Sequence, residues 1–193
     1  MREALNRLWR ALLGPRMLYG WRCADGRWLA HTRVSTSTRF ECPTGLDIAD
    51  HVFIGHFNFI DASGGLSIGE GVQVTTHCSV LSHSSHQALR LAGRAYWGAA
   101  SPPAYVRSAT HIGAYSFVGA HSVIAPGSQL GRGVLVRAFS YVSGVVPDFA
   151  IVSGQPARVI GDTREADEVF LQLHPECRAD YEAWATLAGP RSR

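Results

Sequence analysis

Two histidines near the middle of the chain are the residues best suited to chemistry. His83 and His86 lie in the run Ser82-His83-Ser84-Ser85-His86, and they are two of nine histidines among 193 residues. A histidine can act as a general base, because its imidazole takes the proton of a hydroxyl group while the hydroxyl oxygen attacks an electrophile. Acyl transfer to a hydroxyl needs this base and also a hydrogen-bond donor for the oxyanion that forms. The pair therefore indicates a candidate site for group transfer.

The chain around these histidines repeats with a period of six residues. Every sixth residue is aliphatic in three series, two of which are separated by a two-residue slip at Gly64-Gly65-Leu66: Ile48, Ile54 and Ile60; Ile68, Val74 and Val80; Val106, Ile112, Val118, Ile124, Leu130, Val136 and Val142. This period fits short strands joined by tight turns into a triangular coil, with three hexapeptides in each coil and aliphatic side chains inside. Small or polar residues are expected at the turns, some with positive φ. A β-sandwich of alternating strands is the other interpretation, and the strict phase argues against it.

The six-residue phase is interrupted between Leu81 and Tyr105. This stretch contains glycine, proline and aromatic residues, and we predict an active-site loop over about residues 82–105 that leaves the coil. A long loop in a regular solenoid is usually functional, because ordering it costs conformational entropy while it buries little. His83 directly follows the last in-phase residues, so a rigid coil would hold its backbone, whereas His86 lies in the loop.

The repeats, over residues 42–160, resemble the hexapeptide-repeat acyltransferase family. The stretch IGEGVQVTTHCSVLSHSSH, residues 68–86, is similar to part of the galactoside and maltose O-acetyltransferases and of polysaccharide O-acetyltransferases. The resemblance implies an all-β solenoid, a left-handed parallel β-helix, which is an exception to the usual right-handed crossover. It also implies acetyl-CoA as the acyl donor, a sugar acceptor, and a homotrimer with active sites between neighbouring prisms. In this family the first histidine is the base, so that role falls on His83, and His86 becomes a substrate-side or structural residue.

The same resemblance implies further site residues. Asn58 and Asp61, in HFNFIDASGG, would contact the acceptor. The segment IGAYSFVGAHSVIAPGSQLGRG is similar to the coils that line the coenzyme groove, and GQPARVI is similar to the motif G-x-P-A-[RK] that ends the prism. Gly144 stands where relatives commonly carry a lysine. The implied coenzyme contacts are the backbone N–H of Ala120 at the thioester oxygen, then Ala138, Ser143, and the guanidinium of Arg158 at the phosphates.

Helices are predicted at both ends of the coil. Asp162, with Glu165 three residues later, marks a helix start, and Pro175 interrupts that helix before it resumes to about Leu187. An N-terminal helix has an apolar face that leaves two interpretations open, packing on the protein or contact with an anionic membrane: Leu5, Leu8, Trp9, Leu12 and Leu13. The chain thus divides into a helical segment over 1–30, the β-helix over 31–160 and a helical cap over 161–193.

Composition excludes several other classes of protein. The net charge is only +3, from 18 basic and 15 acidic residues, and the basic residues are spread along the chain, so nucleic acid is not an expected partner. The four cysteines form no C-x-x-C pair and are expected to be free thiols in a reducing cytoplasm, the expected location of the protein. Contact of the N-terminal helix with a membrane would place the protein at the periphery of the inner membrane. No metal is expected: His51 and His56 have the spacing of the zinc-binding pair of γ-class carbonic anhydrases, but Pro15 stands where the third histidine would lie.

Three functions remain open from the sequence. O-acetyl transfer to a sugar of a bacterial surface polysaccharide or its precursor is favoured by His83, since some amino-sugar N-acetyltransferases of this fold work without a histidine. Transfer to the nitrogen of an amino sugar is the second function. A non-catalytic solenoid that serves as a binding surface is the third.

Overall fold

Most of the chain is wound into a triangular prism of β-strands. The computed structural model describes residues 2, 3, 5 and 12–186. Within this part, five successive coils place short strands on three parallel sheets. The left-handed parallel β-helix predicted from the sequence is confirmed.

Short strands account for most of the regular structure. The strands are β1 (Met17–Arg22), β2 (Trp28–Ser35), β3 (Arg39–Glu41), β4 (Leu46–Ile48), β5 (Phe53–Ile54), β6 (Phe59–Asp61), β7 (Leu66–Ile68), β8 (Gln73–Val74), β9 (Ser79–Val80), β10 (His83–Ser84), β11 (Val106–Arg107), β12 (Thr110–Ile112), β13 (Phe117–Val118), β14 (Val123–Ile124), β15 (Gln129–Leu130), β16 (Leu135–Val136), β17 (Tyr141–Val142), β18 (Val145–Val146), β19 (Ala150–Gly154) and β20 (Ala157–Asp162). Three α-helices have defined ends within the described residues: α1 (His86–Ala92), α2 (Thr163–Leu173) and α3 (Arg178–Ala185). Short 3-10 helices span Pro43–Gly45, Gly93–Gly98 and Pro175–Cys177.

The three parallel sheets form the faces of the prism. Face 1 contains β2, β5, β8, β13, β16 and β19, face 2 contains β3, β6, β9, β14 and β17, and face 3 contains β4, β7, β12, β15 and β18. The antiparallel strands β1 and β20 extend face 1 at its two ends. The chain turns from face 1 to face 2 at corner 1, from face 2 to face 3 at corner 2, and from face 3 to face 1 at corner 3.

One aliphatic residue of each hexapeptide points into the prism and forms its core. On face 2 these residues are in register on neighbouring strands and at most 1% exposed: Ile60, Val80, Ile124 and Val142. Burial of each such side chain stabilises the fold by about 1.5–3 kcal/mol. Val106 differs from the prediction, because it is 36% exposed and lies in β11, outside the prism. The downstream core series therefore begins at Ile112.

Large rings occupy corner positions where small or polar residues were predicted. At corner 1, four residues with φ between 55° and 59° stack on successive coils: Phe57, His77, His121 and Phe139. Their ring centroids lie 5.1, 4.9 and 4.8 Å apart in chain order. A left-handed backbone costs a non-glycine residue about 1–2 kcal/mol, and each ring pair contributes about 0.5–1.5 kcal/mol. Stacking therefore offsets much of the backbone strain at this corner.

The predicted loop leaves the prism at corner 2, between β9 and β12. It contains α1, the second 3-10 helix and the hairpin of β10 with β11, in which His83 pairs with Arg107. The N–H of Ser108 donates to the carbonyl oxygen of Ser82 at 2.9 Å and closes the base of the loop. We call residues 82–108 the excursion loop. Regular coils hold both of its ends.

An antiparallel hairpin replaces much of the helix predicted for residues 1–30. Strand β1 pairs with β2 and so continues face 1, and Trp21 packs against Phe40 of the first coil with ring centroids 4.9 Å apart. Pairing with an existing sheet edge outweighs local helix propensity here. Part of the predicted N-terminal apolar face is helical and exposed: Leu5, Leu12 and Leu13. The other members of that face, Leu8 and Trp9, lie outside the described residues.

The C-terminal helices pack along corner 3. Asp162 caps α2 by accepting a hydrogen bond from the N–H of Arg164. Trp184 of α3 stacks on Tyr115 and packs against Phe149, with ring centroids 4.7 and 5.8 Å apart. The helices therefore cover a side of the prism, whereas the sequence had assigned them to its open end. Among the residues that the structure describes, no helix combines the length and apolar character needed to cross a membrane.

Candidate active site

His83 stands at corner 2 with a buried carboxylate behind it. Its Nδ1 atom lies 2.7 Å from Oδ2 of Asp61 and 2.8 Å from Oγ of Ser63. The side chain of Asp61 is fully buried, whereas 26% of the His83 side chain is exposed. The pair thus has a buried end that orients the imidazole and an accessible end, which is the arrangement that a general base requires.

Asp61 is held in its ionised form. Burial alone would raise its pKa, but hydrogen bonds from Ser63, from the N–H of Ser82 and from His83 outweigh burial and hold the pKa well below its ordinary value. An ionised carboxylate only accepts hydrogen bonds, so Nδ1 of His83 carries a proton and donates it. The lone pair of the neutral ring is then on Nε2, which forms no hydrogen bond within the described part of the chain. His83 therefore offers Nε2 as its basic atom.

The coil below and the excursion loop together fix the orientation of the imidazole. Asp61 ends β6, and its Oδ2 accepts hydrogen bonds from both the N–H and the hydroxyl of Ser82 at 2.9 Å. Gly64 lies under the loop, and a Cβ there would collide with the carbonyl oxygen of Ser82, so only glycine fits. On the loop side, the ring of Tyr105 lies parallel to that of His83, with centroids 5.7 Å apart. The coil below His83 and the excursion loop beside it therefore both restrict the movement of the imidazole.

The other histidines lack a buried carboxylate. Three of them pair with serine hydroxyls at 2.6 or 2.7 Å: His56 with Ser35, His111 with Ser67, and His86 with Ser84. Two more face carboxylates that are more than half exposed: His51 with Glu70, and His174 with Glu176. All nine histidines belong to the described residues, and only His83 has a fully buried acidic partner. This difference distinguishes His83 from the other histidines and makes it the candidate for a general base.

The structure places two of the predicted acceptor contacts inside the coil. Asn58 is 3% exposed, and its amide bonds only to backbone groups, the carbonyl oxygens of Gly55 and Thr75 and the N–H of Cys78. Asp61 is fully buried and bonded to His83. Neither side chain has a free face for a substrate, because the coil interior already satisfies its polar atoms. The third predicted contact, His86, is exposed at the start of α1.

The predicted coenzyme contacts lie at separate places on one chain. Ala120 and Ala138 lie on successive coils at corner 1, whereas Ser143 shares corner 2 with His83. Arg158 is exposed on β20. Each side of the triangle is about one hexapeptide long, so at about 3.3 Å per residue two corners are roughly 15–20 Å apart. A single chain therefore does not bring Ala120 and His83 together.

A shallow groove runs along the outer surface of face 3, beside corner 2. It has a volume of about 1010 Å³, and small residues form much of its lining: Gly65, Ala109, Gly113 and Gly131. His111 also lines it, and burial lowers the pKa of this histidine, so its neutral form prevails at neutral pH. Among the described residues, no group of three or more histidine, cysteine or acidic side chains could hold a metal ion.

Sequence reasoning missed several residues around His83. Ser63 and Tyr105 contact His83, and Arg107 pairs with it across the hairpin, yet none of them was predicted. A signal for Ser63 was available. It precedes His83 by 20 residues, which is the length of that coil, because Ile60 pairs with Val80.

Comparisons with known proteins agree with the repeat and the fold. Residues 109–144 match the family model described as bacterial transferase hexapeptide (six repeats). The probable acetyltransferase Rv3034c of Mycobacterium tuberculosis is 24% identical over 157 residues, which are 80% of this chain and 49% of that protein. The putative lipopolysaccharide biosynthesis O-acetyl transferase WbbJ of Escherichia coli is 38% identical over 53 residues, 28% of this chain and 27% of that protein. The chain thus spans about half the length, or less, of these relatives.

A solved structure supports the fold. The N-acyltransferase AntD from Bacillus cereus, in complex with dTDP and 3-hydroxybutyryl-CoA, aligns with a TM-score of 0.53 and 19% identity over 77% of this chain and 89% of that one. This likeness concerns the fold alone. Together, the repeat segment and the left-handed β-helix confirm the resemblance to the hexapeptide-repeat acyltransferases.

Proposed function

We propose that this protein transfers an acetyl or similar acyl group from acyl-CoA to a sugar hydroxyl, with His83 as the general base. The observation that carries the proposal is the buried carboxylate of Asp61, which fixes the tautomer of His83 so that Nε2 faces outward at the root of the excursion loop. Two relatives named as acetyltransferases support the reaction class.

The geometry of His83 suits each proton transfer in the reaction. Nε2 takes the proton of the acceptor hydroxyl as its oxygen attacks the thioester carbonyl. Asp61 stabilises the imidazolium that forms, because its carboxylate stays ionised beside Nδ1. When the carbon–sulfur bond breaks, Nε2 returns the proton to the leaving sulfur of coenzyme A. The products are an O-acyl sugar and the free thiol, and His83 ends as it began.

Two features of the chain fit an acyl-CoA donor. The N–H of Ala120 forms no hydrogen bond within the described part of the chain, whereas the N–H groups of Gly119 and His121 on either side are bonded to neighbouring coils. A free backbone N–H can stabilise the oxyanion of the tetrahedral intermediate. Arg158 is exposed, forms no ion pair among the described residues, and can bind the phosphates of the coenzyme.

The acceptor in this proposal is a sugar of a bacterial surface polysaccharide or its precursor. The relative WbbJ, named for lipopolysaccharide biosynthesis, supports a sugar hydroxyl, and the oriented base is consistent with it. The four cysteines are free thiols, which suits a reducing cytoplasm where acyl-CoA is present.

Binding of acetyl-CoA separates this proposal from a non-catalytic solenoid. A ligand that binds only the native protein must raise its melting temperature. At a ligand concentration 100 times the dissociation constant, the free energy of unfolding increases by about 2.7 kcal/mol.

Arg158→Ala should raise the KM for acetyl-CoA about tenfold and leave turnover at saturation nearly unchanged, since a remote phosphate contact binds ground and transition states alike.

The matched control for Arg158 is Arg22→Ala, because Arg22 is also exposed and lies on β1, at the opposite end of the same sheet. This variant should keep the wild-type KM. Absence of a thermal shift at millimolar acetyl-CoA would favour the scaffold, and an unchanged KM for Arg158→Ala would remove Arg158 from the coenzyme site.

We also propose a homotrimer in which two copies complete each site. One chain separates His83 from Ala120, and a neighbouring copy can present its own corner 1 to His83. His83→Ala and Ala120→Trp should each be inactive as pure trimers, the second because a large ring fills the place of the coenzyme arm.

Mixed trimers of these two variants test the shared site. In an equal mixture, half of the copies carry an intact His83 and half carry an intact Ala120, so about one quarter of the shared sites are complete. We therefore expect about one quarter of the wild-type activity after co-expression and mass measurement of the trimers. Sites formed within single chains would leave the mixture inactive, and a fully active monomer would also exclude the proposal.

A further inference from the structure

The excursion loop carries basic residues and no acidic ones. It contains three arginines, Arg90, Arg94 and Arg107, and no acidic residue. Outside the loop, the other 15 of the 18 basic residues match the 15 acidic residues in number. The formal net charge of +3 is therefore equal to the charge of the loop alone. A loop that carries only positive charge beside the candidate base favours an anionic ligand at that place.

Arg107 is the loop arginine placed next to the base. It pairs with His83 across the hairpin of β10 with β11, so both side chains lie on the same side of the hairpin, with Cβ atoms about 5 Å apart. Its Cζ atom lies 5.6 Å from the ring centroid of Tyr105, and Tyr105 in turn lies parallel to His83. The guanidinium is thereby held near the imidazole without being neutralised.

None of the three loop arginines has an acidic partner among the described residues. Several arginines elsewhere in that part of the chain have one, Arg27, Arg132, Arg164 and Arg178, whereas others, such as Arg33 and Arg158, have none there. Arg107 is exposed, and its guanidinium packs on the face of Tyr105 without an ion pair to any described residue. Its donors are therefore free for a ligand, and a guanidinium binds phosphate oxygens through two parallel hydrogen bonds.

We infer that the acceptor is a sugar joined to a diphosphate, and that Arg107 binds this diphosphate while the sugar hydroxyl reaches Nε2 of His83. The inference rests on the proposed function of His83. Arg90 and Arg94 add charge to the same loop, which suits a group with more than one negative charge. The diphosphate can belong to a nucleotide-linked or to a lipid-linked sugar, since both carry the same recognised group.

Direct binding tests this inference independently of catalysis. Inorganic diphosphate, uridine diphosphate and farnesyl diphosphate are titrated calorimetrically into the full chain saturated with coenzyme A, so that the phosphate site of the coenzyme is already filled. We expect binding, and we expect Arg107→Gln to weaken it by about 10- to 100-fold, the effect of losing charge-assisted hydrogen bonds. Arg107→Lys keeps the charge and should lose less.

The chain offers a matched control in Arg33. This exposed arginine also lies over an aromatic ring, with its Cζ atom 5.4 Å from the centroid of Phe53, but it belongs to face 1, opposite corner 2. Arg33→Gln should bind all three probes like the wild type. Tightest binding of uridine diphosphate supports a nucleotide-linked acceptor, and tightest binding of farnesyl diphosphate supports a lipid-linked one.

Two results would overturn the inference. One is that none of the three probes binds the protein saturated with coenzyme A. The other is that Arg107→Gln, with a melting temperature equal to that of the wild type, binds them unchanged. His83→Ala should keep the wild-type affinity for the probes, so failure of the proposed chemistry and failure of diphosphate recognition give different results.

Discussion

Replacement of His83 by alanine should lower the turnover of acyl transfer by about 10²–10⁴-fold, the usual contribution of a positioned general base. The affinity for acetyl-CoA should stay close to that of the wild type, because three of the proposed coenzyme contacts, Ala120, Ala138 and Arg158, lie at corner 1 and on β20. Release of the coenzyme A thiol in the presence of a sugar acceptor measures the rate. Acetyl-CoA titration by thermal shift measures the affinity.

His86→Ala is the matched comparison for this variant. His86 is exposed on α1, and its Nδ1 atom bonds only to the hydroxyl of Ser84, at 2.7 Å. It has no buried carboxylate that would set its tautomer, so its loss should reduce turnover much less. Near-normal turnover of His83→Ala together with an inactive His86→Ala would show that the base is His86 and not His83. Activity of both variants would refute a histidine mechanism.

Asp61→Asn should also lower turnover, by roughly 10²–10⁴-fold, although Asp61 does not touch the substrate. The side chain keeps its size, but an amide nitrogen facing Nδ1 of His83 donates a hydrogen bond where the carboxylate accepted one. Nδ1 then becomes the acceptor, the proton moves to Nε2, and the basic lone pair is lost from the outward side. The KM for acetyl-CoA should be unchanged, and steady-state kinetics test both expectations.

The pH dependence of the stability of Asp61→Asn tests whether Asp61 is ionised in the folded protein. Because the folded protein lowers the pKa of Asp61, its ionised form stabilises the fold fully above the unfolded pKa of about 4, and this contribution is lost as the pH falls through the lower folded pKa. The variant should therefore melt at a lower temperature than the wild type at neutral pH, and the difference should narrow in strong acid. A fully folded variant at the assay temperature with normal turnover would contradict the positioning role.

The six-residue phase made the prism predictable because it records a single physical requirement. One aliphatic residue in each hexapeptide must fill the interior, and residues such as Ile60 and Val80 are in register and fully buried as a result. The same rule failed for Val106, because an aliphatic residue in phase can also lie on an exposed hairpin. Phase alone does not distinguish a coil from a loop that happens to match it.

The candidate site was only partly predictable. His83 stood out by its residue type and its place at the end of a coil. The role of Asp61 was not apparent from the sequence, because the direction of its side chain depends on which residues of the next coil lie above it. The two-residue slip before Leu66 shifts that alignment. Tyr105 and Arg107 return to His83 only after the excursion loop has folded back on itself, and their contacts depend on the length of that loop.

The large residues at corner 1 escaped prediction for a related reason. Positive φ is usually a sign of glycine, yet His77 and His121 adopt it, because each ring stacks on the ring one coil away. These two stacked residues are 44 positions apart in the sequence. Predictions based on local turn preferences do not include a stabilising contact between residues so far apart in the sequence.

Mass spectrometry of acceptor products tests the central claim most directly. Wild-type protein, His83→Ala and a sample without protein are incubated with acetyl-CoA and a panel of nucleotide-linked, lipid-linked and free sugars. The account predicts that the wild type adds one acetyl group to a sugar through an ester, which mild alkali removes, and that His83→Ala yields almost none. An acetyl group that resists mild alkali, equal product from His83→Ala, or no acetylated sugar from the wild type would contradict it.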